Sequence, residues 1–201
     1  MKEVFLKSSM NLILSKYNYD SDTIDRIKYG LEIIYITVTK LIVIFGVSAI
    51  FNLLKETIIF TLFINGLRTF AYGIHAKKSW HCYISSLVAF VLMPYVFSNI
   101  TFSYLQTISI SVLCLLSMIL YAPADTHKRP LVNKQHRLKL KFISTCVCLT
   151  YIFIIFISKN QLLNNLILLS MITESLLINP ILYKLFNFPY NNYKEYLKNG
   201  V

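Results

Sequence analysis

Long apolar runs separated by short polar segments are the dominant pattern of this chain. A helix needs about 20 mostly apolar residues to cross a bilayer, and a backbone inside lipid must satisfy its own hydrogen bonds. The runs are too long and continuous for strands, so the pattern predicts an all-α, polytopic membrane protein forming a single domain over residues 1–201. Six transmembrane helices are expected, at about 31–52, 57–74, 80–98, 102–122, 142–158 and 162–183.

Basic residues concentrate in alternate polar segments. The chain is 56% hydrophobic, only 14% charged and has a net charge of +11. Lysines and arginines gather in the N-terminal arm, the 75–80 turn, the 123–141 loop and the tail, while the other connections carry few. The positive-inside rule then places both termini and the 75–80 turn on the cytoplasmic side. Because the basic residues flank membrane spans, their expected partner is anionic membrane lipid and not nucleic acid.

The two ends of the chain flank the predicted transmembrane bundle, which covers residues 31–183. Residues 1–28 place apolar side chains at helical spacing with lysines between them, which predicts an amphipathic helix lying in the membrane interface. Residues 184–201 form the predicted cytoplasmic tail, whose tyrosines suit the headgroup level.

The turn between the second and third runs carries a histidine and a thiol, His75 and Cys82. A cysteine becomes a useful nucleophile when a neighbouring base or cation favours its thiolate. On one straight helix the two residues would lie about 10.5 Å apart along the axis, too far for proton transfer. Thiol catalysis therefore requires the chain to bend between them, and Gly73 permits an unusual backbone there. The alternative is that both residues merely flank a basic membrane turn.

Arg68 lies about two helical turns deeper than His75. A charge at that depth usually faces a bundle interior or wet cavity. It either supports an oxyanion or substrate carboxylate, or forms a structural ion pair with Glu174 in the sixth run. A metal site would have to use other polar residues, but no standard ligand spacing is present, and no cofactor is expected. The metal candidates are His75, His81, Cys82, His127 and His136.

A proline-framed loop follows the fourth run, between Pro123 and Pro130. Asp125 can cap a turn there. The adjacent Lys128 and Arg129 would attract an acidic peptide segment or anionic lipid. The five residues are therefore candidates for substrate docking.

These two polar segments together resemble the accessory gene regulator protein B family, the AgrB-type membrane peptidases of Gram-positive quorum sensing. One departure is Tyr72, where the family often has a glycine before Gly73. The first matching set is Arg68, Ala71, Gly73, His75, Ala76, Cys82 and Ser85, and the second is residues 121–126 with Lys128 and Pro130.

The resemblance implies a cysteine endopeptidase of the bacterial cell membrane with its active site at the cytoplasmic face. His75 would be the general base and Cys82 the nucleophile that removes the C-terminal tail of an AgrD-like propeptide. The resulting thioester would then be closed into a thiolactone or lactone ring, and the enzyme would be a homodimer. Two alternatives stay open: a non-enzymatic peptide transporter or export partner using Arg68 and Glu174, and a metal-dependent peptidase, for which the chain lacks HExxH.

Overall fold

The computed structural model describes residues 2–15, 19–74, 79–126 and 130–198, and the predicted all-helical architecture is confirmed. Within those ranges there is no β-strand, and an isolated parallel bridge pairs Tyr72 with Ala124. The elements are α1 (Lys2–Leu14), α2 (Ser21–Ile50), α3 (Leu54–Ala71), α4 (Ser79–Leu87), a π-helical turn (Val88–Leu92), α5 (Met93–Ser98), α6 (Tyr104–Tyr121), α7 (Lys134–Ile157), α8 (Gln161–Leu177), α9 (Pro180–Leu185) and α10 (Tyr193–Lys198).

The N-terminal arm divides between two helices. The first predicted run was expected to start near residue 31, but α2 begins at Ser21 because Asp20 caps it, accepting a hydrogen bond from the Thr23 N–H at 3.3 Å. The preceding α1 packs against α2, with the rings of Phe5 and Tyr35 5.3 Å apart between centroids. The arm therefore consists of a short helix packed on α2 and the first turns of α2 itself.

Helix α8 is the centre of the bundle and packs against α3, α5, α6 and α7. Its residues 165–171 are all buried in succession, which happens only when a helix is enclosed on every side. The main core cluster joins Leu67 of α3, Met118 of α6, Cys148 of α7 and Met171 of α8, all fully buried. Loss of any of these side chains would open a cavity in the helix interface.

By length and composition, α2, α6 and α7 are the helices of the described ranges that are long and apolar enough to cross a membrane. Shorter apolar helices are Tyr83–Ser98 and Gln161–Leu177. Helix α2 leaves Ile34, Ile42 and Ile50 exposed, as expected of a surface that faces lipid. The structure thus fits a membrane protein, while six spans and cytoplasmic termini stay predictions.

The third helical run is interrupted by the π-helical turn before Pro94. Proline has no N–H to donate to the carbonyl of Phe90 four residues earlier. The Thr57 hydroxyl of α3 supplies that donor at 3.0 Å, and it lies 2.8 Å from the Ser48 hydroxyl of α2. A buried polar chain therefore ties α2, α3 and the interrupted run together.

Candidate functional site

Helix α3 and helix α4 are separate elements, as the proposed chemistry requires. Helix α3 ends at Ala71, and α4 begins at Ser79. Tyr72 adopts φ 63° and Gly73 φ 108°, both in the region that favours glycine. A Cβ on Gly73 would lie 2.9 Å from the carbonyl oxygen of Leu177, so glycine is needed there for space as well as conformation. One continuous helix from 68 to 85 is excluded.

Main-chain hydrogen bonds hold the segment that leads into His75. The Gly73 N–H donates to the Ala124 carbonyl at 3.0 Å, and the Ala124 N–H donates to the Ala71 carbonyl at 2.9 Å. The Ile74 N–H donates to the Leu177 carbonyl, at the end of α8, at 3.1 Å. Residues 72–74 are thus fixed between two other parts of the bundle. His75 itself lies outside the described residues.

Arg68 binds both the α8 helix and the segment before His75. Its Nη1 lies 3.5 Å from Oε2 of Glu174, and its Nη2 donates to the Ile74 carbonyl at 2.8 Å. Glu174 is fully buried, and its Oε1 has no partner in the described part of the chain. The predicted ion pair with Glu174 is therefore present. A role of Arg68 in supporting an oxyanion or substrate carboxylate stays a prediction.

Cys82 lies within the first turn of α4, although its side chain is outside what the structure describes. Of the other cysteines, Cys114 and Cys148 are buried in the main core cluster and Cys146 is half-buried. Among the described side chains, no group of three or more His, Cys, Asp or Glu lies close enough to hold a metal ion.

Asp125 of the proline-framed loop is bound by the C-terminal segment. It is only 3% exposed, and its Oδ1 accepts from the backbone N–H of Asn192 at 3.0 Å and from its Nδ2 at 3.3 Å. Its Oδ2 accepts from the Tyr193 N–H at 2.8 Å. The carboxylate therefore anchors the tail, and a docking role for Asp125 stays a prediction. Docking through Pro123 and Pro130 stays a prediction; Lys128 and Arg129 lie outside the described residues.

Two further side chains join the tail to this region, and the sequence-based prediction missed both. The Tyr183 hydroxyl donates to the carbonyls of Asp125 at 3.1 Å and Ala124 at 3.3 Å. Arg137 places its Cζ 3.8 Å from the centroid of the Tyr193 ring, a cation–π contact. The available signal was Asp125 itself, a single acid inside an otherwise basic loop.

The fold describes a helical, membrane-type protein in which α3 ends shortly before His75 and Cys82 lies in the first turn of α4. The Accessory gene regulator B family model matches residues 7–178, so the chain belongs to that family. Membership implies a role in processing the peptide of accessory gene regulator quorum sensing.

Curated relatives agree with the family match. A putative AgrB-like protein of Listeria innocua is 34% identical over 92% of each chain. A putative AgrB-like protein of Clostridium acetobutylicum is 37% identical over 85% of this chain and 82% of its own length. Accessory gene regulator protein B of Staphylococcus epidermidis is 32% identical over 84% of this chain and 86% of its own. No solved structure matches the chain.

Proposed function

We propose that this protein is a membrane-embedded cysteine endopeptidase that removes the C-terminal tail of an AgrD-like propeptide and promotes its cyclisation. The end of α3 at Ala71, with positive φ at Tyr72 and Gly73, is the observation that supports the proposal, because it excludes one continuous helix from Arg68 through Cys82. A base and its thiol need approach near hydrogen-bond reach, which a turn permits.

In the proposed reaction, His75 takes the proton of Cys82, and the thiolate sulfur attacks the carbonyl carbon before the propeptide tail. The tetrahedral intermediate collapses by breaking the C–N bond, and the histidine returns its proton to the leaving amine. A peptidyl thioester on Cys82 remains. A thiol or hydroxyl within the bound peptide then attacks that carbonyl, forming the thiolactone or lactone and releasing the cysteine thiol.

Ring closure competes with water for the thioester. A site at the membrane boundary that holds both ends of the peptide favours the internal nucleophile. The segment before His75 is anchored to α8 through the Leu177 carbonyl and to α3 through Arg68, which supports a rigid site wall. Arg68 fits a positioning role through these contacts, and support of an oxyanion or substrate carboxylate is the second role we assign to it.

The acidic tail of the propeptide is proposed to dock on the basic face at the start of α7. Lys134 and Lys139 are exposed there, and Lys128 and Arg129 precede them in the sequence. Opposite charge raises the local concentration of an acidic segment. We further propose a cytoplasmic active site at the bacterial cell membrane, contact with membrane lipid and a homodimeric assembly.

A second candidate function is that of a peptide export partner without catalytic activity. The Arg68–Glu174 pair favours it, because charged groups inside a bundle often mark a transport pathway. This alternative predicts that Cys82→Ala preserves function while replacement of either charge abolishes it. The peptidase predicts loss of tail cleavage in Cys82→Ala.

The test is coexpression of an AgrD-type propeptide with Cys82→Ala and with His75→Ala, followed by mass spectrometry of the peptide. Cys146→Ala and His136→Ala are matched controls, because they remove the same chemical groups from α7. The proposal expects cleavage of the tail in both controls and in neither test variant. Normal cleavage in Cys82→Ala or His75→Ala would remove that residue from the mechanism.

A further inference from the structure

We propose that the C-terminal segment, residues 183–193, is a positioning element of the catalytic centre that fixes the main chain leading into His75. The inference rests on the proposed function of His75 and Cys82. The family match ends at residue 178, so this segment lies beyond the part of the chain that defines the family. Its contacts nevertheless reach the segment that precedes the candidate base.

The first attachment is the side chain of Tyr183. Its hydroxyl donates to the carbonyl of Ala124 at 3.3 Å, and that same oxygen accepts the Gly73 N–H at 3.0 Å. Tyr183 is only 1% exposed, so water has no access to replace its hydroxyl. One carbonyl therefore links the tail directly to the residue two positions before His75.

The second attachment is the carboxylate of Asp125, beside Ala124. It accepts three hydrogen bonds from Asn192 and Tyr193, and bonds to a charged acceptor are stronger than neutral ones. Arg137 places its Cζ over the Tyr193 ring, 3.8 Å from the centroid. Both ends of the 183–193 segment are thus tied to the same short piece of chain.

Residues 72–74 depend on such partners because they belong to no helix or sheet of their own. They are held by Ala124, by Leu177 and by Arg68. The histidine that follows must lie within hydrogen-bond reach of the thiol to act as its base. A small displacement of Ala124 would therefore weaken the coupling of His75 to Cys82, so the segment acts on the pair through Ala124.

The test measures the reactivity of Cys82 without any substrate. In the full-length chain the other cysteines are replaced by alanine, and iodoacetamide alkylation is followed against pH in detergent micelles. We expect a midpoint below about 8.5, the value of an ordinary thiol. Tyr183→Phe and Asn192→Ala should each raise the midpoint towards that value. The replaced residues are Cys114, Cys146 and Cys148.

Tyr190→Phe is the matched control. Its ring lies 5.0 Å from that of Tyr183, but the structure gives its hydroxyl no hydrogen bond within the described residues. Burial, with Tyr121 nearby, raises the pKa of Tyr190, so its hydroxyl stays neutral across the titration. Tyr190→Phe and Tyr183→Phe each remove one oxygen, and only the second should move the midpoint.

The outcomes separate this inference from the function on which it rests. A midpoint raised by His75→Ala but unchanged in Tyr183→Phe and Asn192→Ala overturns the positioning role and leaves the peptidase intact. A midpoint that His75→Ala does not move overturns the histidine–cysteine pair itself. With purified protein in detergent and a synthetic propeptide at varied concentration, the two tail variants should lower kcat about tenfold with KM unchanged, since misplacement of a catalytic group acts on the chemical step.

Discussion

The Nη2 atom of Arg68 donates to the carbonyl oxygen of Ile74 at 2.8 Å, while its Nη1 faces the buried carboxylate of Glu174 at 3.5 Å. A planar guanidinium can hold two acceptors in fixed directions, whereas a lysine ammonium is a single point charge on a flexible stem. The arginine therefore couples α8 to the residue immediately before His75. The two contacts allow two roles of Arg68 to be tested separately. The ion pair with Glu174 is the structural role, and the hydrogen bond to the Ile74 carbonyl is the functional one.

Arg68→Lys should keep the positive charge opposite Glu174 but lose the planar guanidinium that holds two acceptors in fixed directions. We expect a thermal unfolding temperature near that of the wild type and cleavage of a coexpressed propeptide lowered by about tenfold or more, because the Ile74 carbonyl loses its fixed donor. Arg68→Ala should instead destabilise the fold by about 3–5 kcal/mol, since it leaves an unpaired buried carboxylate. Unfolding in detergent and peptide mass spectrometry measure the two effects.

The double variant Arg68→Met/Glu174→Met is the control for stability. Apolar side chains of similar volume often replace a buried ion pair without loss of stability. We expect this variant to fold like the wild type and to remain poorly active. Wild-type cleavage by the double variant would show that the pair serves the fold alone.

Replacing Gly73 with a larger residue should reduce propeptide cleavage, whereas replacing Tyr72 with glycine should not. Gly73→Ala places a Cβ 2.9 Å from the Leu177 carbonyl at φ 108°, so we expect displacement of the segment and loss of most cleavage. Tyr72→Gly relieves a backbone conformation (φ 63°, ψ −124°) that costs a residue other than glycine about 1–3 kcal/mol, and it should retain cleavage. The matched comparison is the cleavage rate at equal protein level, and full activity in Gly73→Ala would contradict the geometry.

Thr57 and Thr61 test the polar chain around the π-helical turn. Thr57→Val removes the donor to the Phe90 carbonyl and should destabilise the protein by about 1–3 kcal/mol, the cost of an unsatisfied buried group. The Thr61 hydroxyl, on the same helix, is buried without a partner in the described chain, so Thr61→Val should be neutral or stabilising. Detergent unfolding curves compare the two. Equal destabilisation would argue against the hydrogen bond.

The apolar helices were predictable from sequence because hydrophobic run length reports directly on burial in lipid or core. The start of α2 at Ser21 was not predictable in this way, because the first turns of the helix are charged. The Asp20 N-cap is the signal in the sequence for this start. The break after Ala71 was predicted from the hypothesis of thiol catalysis, because His75 and Cys82 would lie too far apart on one straight helix. The positive φ of Tyr72, which accompanies this break, could not be predicted because Tyr72 is not a glycine.

The attachment of the tail could not be predicted from local pattern. Asp125 and Asn192 are far apart in sequence, and a hydrogen bond between them creates no periodicity. The Arg68–Glu174 pair was one of two alternatives, because buried charges need partners and few acids lie within the apolar runs. Long-range polar contacts are therefore the part of this structure that local sequence patterns predict least well.

The most direct test of the central claim is capture of the peptidyl thioester on Cys82. Full-length protein coexpressed with an AgrD-type propeptide would be quenched in acid, digested and searched by mass spectrometry for the cysteine peptide carrying the propeptide fragment, with neutral hydroxylamine to release it. The account predicts this adduct on Cys82 in the wild type, and neither adduct nor tail cleavage in Cys82→Ala. Tail cleavage at the wild-type rate in Cys82→Ala would contradict it.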